Sequence, residues 1–369
     1  MVPNGVTRLR ATGEPYAPPV SRPLASVLAA LVLAVGCTGD DADDPPTTAA
    51  PVRLNEIQVL GTHNSYRAAM DPDVLELVTA FSEPTGLGLD YAHPSLREQL
   101  EAQGARQLEL DVYADPVGGL YAERRGLALV DRPTASGLDA LDAPGFKVLH
   151  SADIDFNSTC LTLIACLDEV RAWSQDHPSH IPVMILLEAK QTPTPDPAGL
   201  GFVDPPDFDA ATFAALDAEI RSVFADDELV RPADRDGATW PALDDVRGRV
   251  LFALDNDDLH DRYGGDILFT NATGFVKLND PAADGERIRS AVAAGNLVRT
   301  RADAETMQAR RNDPAQRDAA LASGAHWVST DYLVPDTRFS DYAVALPGGG
   351  VARCNPVVAP ACDATQLRE

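Results

Sequence analysis

Lysine is nearly missing from this chain of 369 residues: of 30 basic side chains only Lys147, Lys190 and Lys277 are lysine, and no run of basic residues occurs. Against them stand 56 acidic groups, for a net charge of -26. Nucleic-acid binding needs clustered cations to meet phosphates, so that class is excluded, and so is electrostatic docking on an anionic membrane. Long hydrophobic runs are also lacking. The apolar stretch Leu24–Val35 spans 12 residues, too short to cross a bilayer, which excludes a polytopic membrane protein. Five cysteines are too few for a disulfide-built miniprotein. With 45% hydrophobic residues the remainder describes a soluble acidic globular chain, large enough for one big domain or two ordinary ones.

What is present first is a targeting segment. Arg8, Arg10 and Arg22 precede Leu24–Val35, and the run ends in Leu33-Ala34-Val35-Gly36-Cys37. Small residues before a cysteine resemble a bacterial lipobox, which implies lipidation at Cys37 and export to the cell surface, with an ordinary secretory signal as the alternative. Residues 1–37 are therefore read as a signal segment and 38–52, acidic and rich in Pro and Thr, as a flexible tether. Four cysteines remain, and three pairings are open to them; the two short loops, Cys160 with Cys166 and Cys354 with Cys362, are the economical choice in an oxidising compartment. Six helical residues would hold Cys160 and Cys166 about 9 Å apart, so their bridge demands a non-helical turn.

From Arg53 onward, eight strand-like runs alternate with helical patterns: 57–60, 107–113, 146–150, 182–190, 249–255, 274–278, 297–301 and 326–330. Amphipathic helices are expected over 95–103, 163–176, 209–224, 283–294 and 314–323. The alternation predicts an α/β fold, a TIM-like (βα)8 barrel over 53–332, imperfect because 114–145 carries no clear helix, with a disulfide-pinned tail over 333–369. A doubly wound open sheet is the structural alternative, disfavoured because no Gly-rich phosphate loop follows the first strand.

The polar residues inside strands carry the chemistry. Glu109 and Asp111 are two apart in Gln107-Leu108-Glu109-Leu110-Asp111, so both carboxylates share one face and the leucines the other. Two acids aimed into a barrel repel unless a cation or proton lies between them, which makes the pair a candidate metal site. His63-Asn64, His150, and Glu188 with Lys190 each end an apolar strand at its C-terminal side, where barrel chemistry sits. Packing alone does not explain two histidines, three carboxylates and an amide converging on one mouth.

The order His63-Asn64-Ser65-Tyr66, Glu109-x-Asp111, His150, Leu187-Glu188 resembles the X-type catalytic barrel of calcium-dependent phosphoinositide-specific phospholipases C, in particular the secreted bacterial branch. The resemblance runs from about Leu54 to Tyr332, and Asp153-x-Asp155, Cys160-x5-Cys166 and the run Leu297–Asp303 are similar to that branch too. It implies Ca2+ held by Asn64, Glu109, Asp111 and Glu188, and catalysis by His63 and His150 with Glu109 or Glu188 as base. The implied reaction cleaves phosphatidylinositol to diacylglycerol and inositol cyclic phosphate by attack of the 2-hydroxyl. Lys190, Arg299 and Arg301 are expected to face substrate, with Tyr332 at the inositol; Lys147 and Lys277 are expected in barrel salt bridges to Glu188 or Asp111. Asp153 and Asp155 are expected to order their loop. A glycerophosphodiester phosphodiesterase on a similar barrel is one alternative, although that family usually opens with His-Arg-Gly. A non-catalytic polyol-binding surface lipoprotein is the other, and no catalytic group is missing to favour it.

Overall fold

The computed structural model describes residues 50–369, so the signal segment, Cys37 and nearly all of the tether lie outside the described residues. The tether reading fails at its last residue. Val52 is 3% exposed, packs in the barrel core, and receives Gln366 Oε1 on its amide at 3.0 Å, while Gln366 Nε2 donates to the Ala50 carbonyl.

Eleven strands form one sheet: β1 (Ile57–Thr62), β2 (Gln107–Tyr113), β3 (Lys147–Val148), β4 (Val183–Ala189), β5 (Leu229–Val230), β6 (Val250–Leu254), β7 (Leu268–Phe269), β8 (Phe275–Lys277), β9 (Leu297–Arg301), β10 (Trp327–Thr330) and β11 (Ala352–Cys354). The helices are α1 (Pro72–Phe81), α2 (Glu83–Leu89), α3 (Leu96–Glu101), α4 (Asp139–Asp142), α5 (Leu163–Asp176), α6 (Ala210–Val223), α7 (Pro281–Ala293), α8 (Met307–Arg311) and α9 (Ala315–Ala322). The parallel ladder runs β5-β6-β4-β2-β1-β10-β9-β8, a curled sheet that pairs the first strand with the tenth. No ladder pair joins β7 to β8 among the described residues, so the barrel has a seam there, bridged by Phe269 and Phe275 in a shared apolar cluster.

Alternation along the strands sets the two faces. Leu108, Leu110 and Val112 of β2, with Ile185 and Leu187 of β4, pack outward against α5 and α6. Met184, Leu186, Leu251 and Ala253 fill the barrel floor with Val59, Leu297 and Trp327, leaving Glu109, Asp111 and Glu188 above them on the same inner face. Gly61 is what lets β1 lie against β2: a Cβ there would meet Gln107 side-chain and carbonyl atoms at 2.4–2.5 Å.

Three expectations need correcting. The run 146–150 forms only the two-residue β3, antiparallel to the end of β2, because Gly145 and the Cys160–Cys166 loop leave it no parallel neighbour; it is a flap on β2 rather than a barrel stave. The short β5 and β7 share the outer edge of β6 instead. The hairpin of α1 and α2, which Pro72 and Pro84 open at their first turns, lies between β1 and β2, where no helix was expected before residue 95. Both local disulfides form as expected, and β11 pairs antiparallel with β1, which fixes the tail on the barrel.

Candidate active site

One turn after β1 delivers the first part of the site. Asn64 takes a left-handed backbone (φ 46°), a conformation in which Asn is tolerated better than most residues. The turn is stapled to β2, with the Ser65 amide on the Glu109 carbonyl at 2.9 Å and Ser65 Oγ accepting from the Glu109 amide at 2.8 Å. His63 and Asn64 are thereby placed beside the β2 carboxylates. Asn64 Nδ2 donates to the Tyr91 hydroxyl at 3.0 Å, which turns Oδ1 inward, buried and without a hydrogen-bond partner.

Glu109, Asp111 and Glu188 each offer a carboxylate oxygen within 4.8 Å of the other two. Burial raises Glu109 to about 7, with Arg299 acting against it, and raises Asp111 well above the carboxylate range, with Lys190 acting against it. Both Asp111 oxygens are buried without hydrogen bonds; Lys190 Nζ is 3.2 Å from Oδ2 but off the bonding direction. Orphaned oxygens on Asp111 and Asn64, beside two more carboxylates and with no sulfur or imidazole among them, are what a hard divalent cation requires, so the residues fit Ca2+.

Each imidazole is held by its own carboxylate. His63 Nδ1 is 3.0 Å from Asp331 Oδ1, and its Nε2 faces Arg301 Nη1 at 3.4 Å and Glu109 Oε1 at 3.8 Å. Burial, then Arg301, lowers His63 to about 3, which keeps the ring neutral. Burial would raise Asp331, yet His63 and Arg301 hold it well below the usual range. His150 Nδ1 is 2.9 Å from Asp155 Oδ2, which leaves Nε2 toward solvent. His63, Asn64, Tyr91, His150, Arg301 and Asp331 line one cleft of about 300 Å3, walled on the outside by Pro84, Thr85 and Leu89 of α2. His150 also borders a second cleft of about 420 Å3 with Tyr113, Glu188, Lys190, Thr192, Thr194 and Asn256.

The structure brings together both histidines, the four oxygen donors, Lys190 and Arg301. It does not bring in Arg299 as a substrate group. That side chain is 1% exposed, with its donors on Glu109 Oε2, Asn279 Oδ1 (2.6 Å) and Ser329 Oγ (3.0 Å), so it orients a carboxylate instead. Tyr332 is displaced as well: it packs edge-on against Tyr342 and borders a neighbouring cleft with Leu333 and Asp336. Lys190 pairs with Glu188 (3.0 Å) and Asp111; burial pulls it down, but those acids outweigh burial and raise it. Lys147 and Lys277 are in salt bridges, but to Asp115 and Asp255 rather than Glu188 or Asp111. Asp153 orders its loop by accepting from the Val203 amide (2.8 Å). Asp155, Asp331 and Tyr91 were missed as partners of the histidines, and Arg67 as the partner of Asp155. Asp155 stands in the Asp153-x-Asp155 motif, where the sequence points only to an ordered loop, and Asp331 stands directly after β10, at the strand end where the other site residues stand.

Residues 52–356 match the family model described as "Phosphoinositide phospholipase C, Ca2+-dependent". Among solved structures, the chain is similar to a calcium-dependent phosphoinositol-specific phospholipase C from Pseudomonas sp in its apo form, at 17% identity, covering 82% of this chain and 95% of that one with a TM-score of 0.48. A Ca2+-dependent phosphatidylinositol-specific phospholipase C from Streptomyces antibioticus is similar at 17% identity, 76% and 95% coverage and a TM-score of 0.42. No curated protein matches the chain.

Proposed function

The chain belongs to the Ca2+-dependent phosphoinositide phospholipase C family, and from that we propose that it cleaves phosphatidylinositol to diacylglycerol and inositol cyclic phosphate, with the following roles for its own residues. Asn64, Glu109, Asp111 and Glu188 hold the ion. Bound there, Ca2+ lowers the pKa of an inositol hydroxyl and offsets charge that builds on the phosphoryl oxygens. Glu109 takes the proton of the 2-hydroxyl, with Glu188 as the second carboxylate within reach. The 2-oxygen bonds to phosphorus as the bond to the diacylglycerol oxygen breaks. His150 protonates that leaving oxygen from Nε2, while Asp155 keeps Nδ1–H in place. Arg301, beside His63 Nε2, meets the equatorial phosphoryl oxygens. The anionic phosphodiester, with Asp331 behind the ring, favours the protonated form of His63, which then donates from Nε2 to the same oxygens. In the second half-reaction His150, now neutral, draws a proton from the water that opens the cyclic ester.

The observation that carries this reading is the unpartnered Asp111 carboxylate within 4.8 Å of Glu109 and Glu188, with the unpartnered Asn64 Oδ1 on the turn that Ser65 staples to Glu109. The glycerophosphodiester alternative loses ground on the same residue, because Asn64 stands where that family usually has arginine. The two disulfides support export, and we infer a surface or secreted protein with Cys37 lipidated, a tether that ends before the buried Val52, 53–332 as catalytic barrel and 333–369 as its packed tail. Contact with membrane comes through the lipid substrate and that anchor; Phe81, 87% exposed where α1 meets α2 beside the cleft, is consistent with it. Phosphatidylinositol turnover with calcium and with chelator tests the reading: chelation abolishes product, calcium restores it, and release of glycerol 3-phosphate from deacylated lipid instead would decide for the alternative.

A further inference from the structure

Arg67 is the largest buried cation near the cleft that this mechanism leaves without work. It is fully buried, three residues after Asn64 on the same turn. Its Nε and Nη2 reach Asp155 Oδ2 at 2.8 and 2.7 Å, the oxygen that also faces His150 Nδ1. Nη1 donates to the Tyr91 carbonyl and Nη2 to the Leu89 carbonyl at 2.6 Å, and the guanidinium lies 4.3 Å over the Tyr91 ring. Tyr91 and Leu89 are walls of the cleft.

Resting on the reading of His150 as general acid, we propose that Arg67 is a positioning residue for it: the guanidinium clamps the Asp155 carboxylate that orients His150, and braces that carboxylate against the end of α2. The chemistry needs an arginine. A carboxylate that only met His150 could rotate its other oxygen, Oδ1, which is buried and unpartnered, toward the ring. Two donors of one rigid plane on Oδ2 fix which oxygen serves the imidazole, while the remaining donors fix the plane to backbone. A lysine offers one charged nitrogen and cannot hold Asp155, Leu89 and Tyr91 together. Because His63, Asn64 and Arg67 leave the same turn, the two imidazoles, on different strands, are registered to one another through five residues of backbone.

The consequence is selective. A general acid matters when the leaving oxygen is a poor one, as in diacylglycerol, and matters little when the leaving group is a stable anion such as 4-nitrophenolate. The experiment compares phosphatidylinositol with inositol 4-nitrophenyl phosphate for Arg67→Gln, Arg67→Lys, His150→Ala and the double variant Arg67→Gln/His150→Ala, at fixed calcium. Arg67→Gln is expected to slow the lipid by about 30-fold or more and the nitrophenyl ester by less than about threefold, Arg67→Lys to recover part of the lipid rate, and the double variant to match His150→Ala within about threefold. Both esters read the same preparation, so a partly unfolded variant lowers both and leaves their ratio unchanged. Equal slowing of the two esters by Arg67→Gln, or a double variant slower than His150→Ala by the full Arg67 factor, overturns the proposal. If His150→Ala itself slows both esters equally, the general-acid reading fails instead.

Discussion

Asp331 Oδ1 stands 3.0 Å from Nδ1 of His63, across the join between the tenth strand and the first. The contact selects the tautomer that points Nε2 at the phosphoryl position. Asp331→Asn keeps the shape and offers an amide of either sense, so the tautomer is no longer selected. Turnover of phosphatidylinositol is expected to fall by about 100-fold or more, with calcium binding retained; steady-state rates and a calcium titration read both.

Asp111 has no hydrogen bond on either oxygen and a single ion-pair partner, Lys190 at 3.2 Å, so it has donor capacity left for a bound cation. Asp111→Asn is expected to weaken calcium by about tenfold or more while the metal-free protein becomes no less stable, because a buried like-charge neighbour has been removed. Calorimetric titration and thermal unfolding in chelator check the two halves.

Two histidines far from the cleft are committed to the neutral form. His326 Nδ1 accepts the Val298 amide (2.9 Å) while Nε2 donates to the Asn55 carbonyl, and His180 donates from Nδ1 to the Ile181 carbonyl while Nε2 meets Ser174 Oγ. Burial lowers each to about 4. Between pH 6.5 and 4 the unfolded chain therefore takes up more protons than the folded one, and this stability, fully present above 6.5, is lost as the pH falls through that window. The unfolding temperature is expected to drop across it in chelator as well as in calcium, and a profile flat down to pH 4 would contradict the assignment.

Head-group choice follows from the sixth strand. The eukaryotic members of the resembling family carry a Lys-x-Lys pair there that grips ring phosphates, and aligning their Gly-Lys opening with Gly248-Arg249 sets Ala253 and Asp255 at those positions. Ala253 is sealed in the barrel floor, Asp255 is paired with Lys277, and Lys190 on the neighbouring strand is paired with Glu188 and Asp111. Unphosphorylated phosphatidylinositol should be cleaved in preference to its bisphosphate by at least about tenfold, in competition in mixed micelles at fixed calcium.

How much of this was legible depends on the range of the interaction. A period of two in Gln107–Tyr113 exposes Glu109 and Asp111 on one face, because alternation is a local property, and the strand has the bounds the pattern predicts. His63, Asn64, His150 and Glu188 were readable as polar ends of apolar strands. Arg299 was misassigned because sequence reports its face but not its distance down the barrel: two residues lower on β9 than Arg301, it meets Glu109 rather than solvent. The pairing of Arg67 with Asp155, 88 residues apart, or of His63 with Asp331, 268 apart, has no local trace at all. The two-residue β5 and β7 are too short for any periodicity to register.

The seam between β7 and β8 bears on how the chain could be rewired. Cutting the exposed Asn271–Ala272 link would separate no hydrogen-bonded pair of strands, since the ladder already ends on either side of it. Ala50 and Val52 are hydrogen-bonded to Gln366, three residues before Glu369, so a short linker from Glu369 to Ala50 would join neighbouring parts of the chain. A circular permutant beginning at Ala272 and ending at Asn271 would then run through β8, β9, β10, β11 and β1, carrying Arg301, Asp331 and His63 on the adjacent staves β9, β10 and β1 in a single unbroken half.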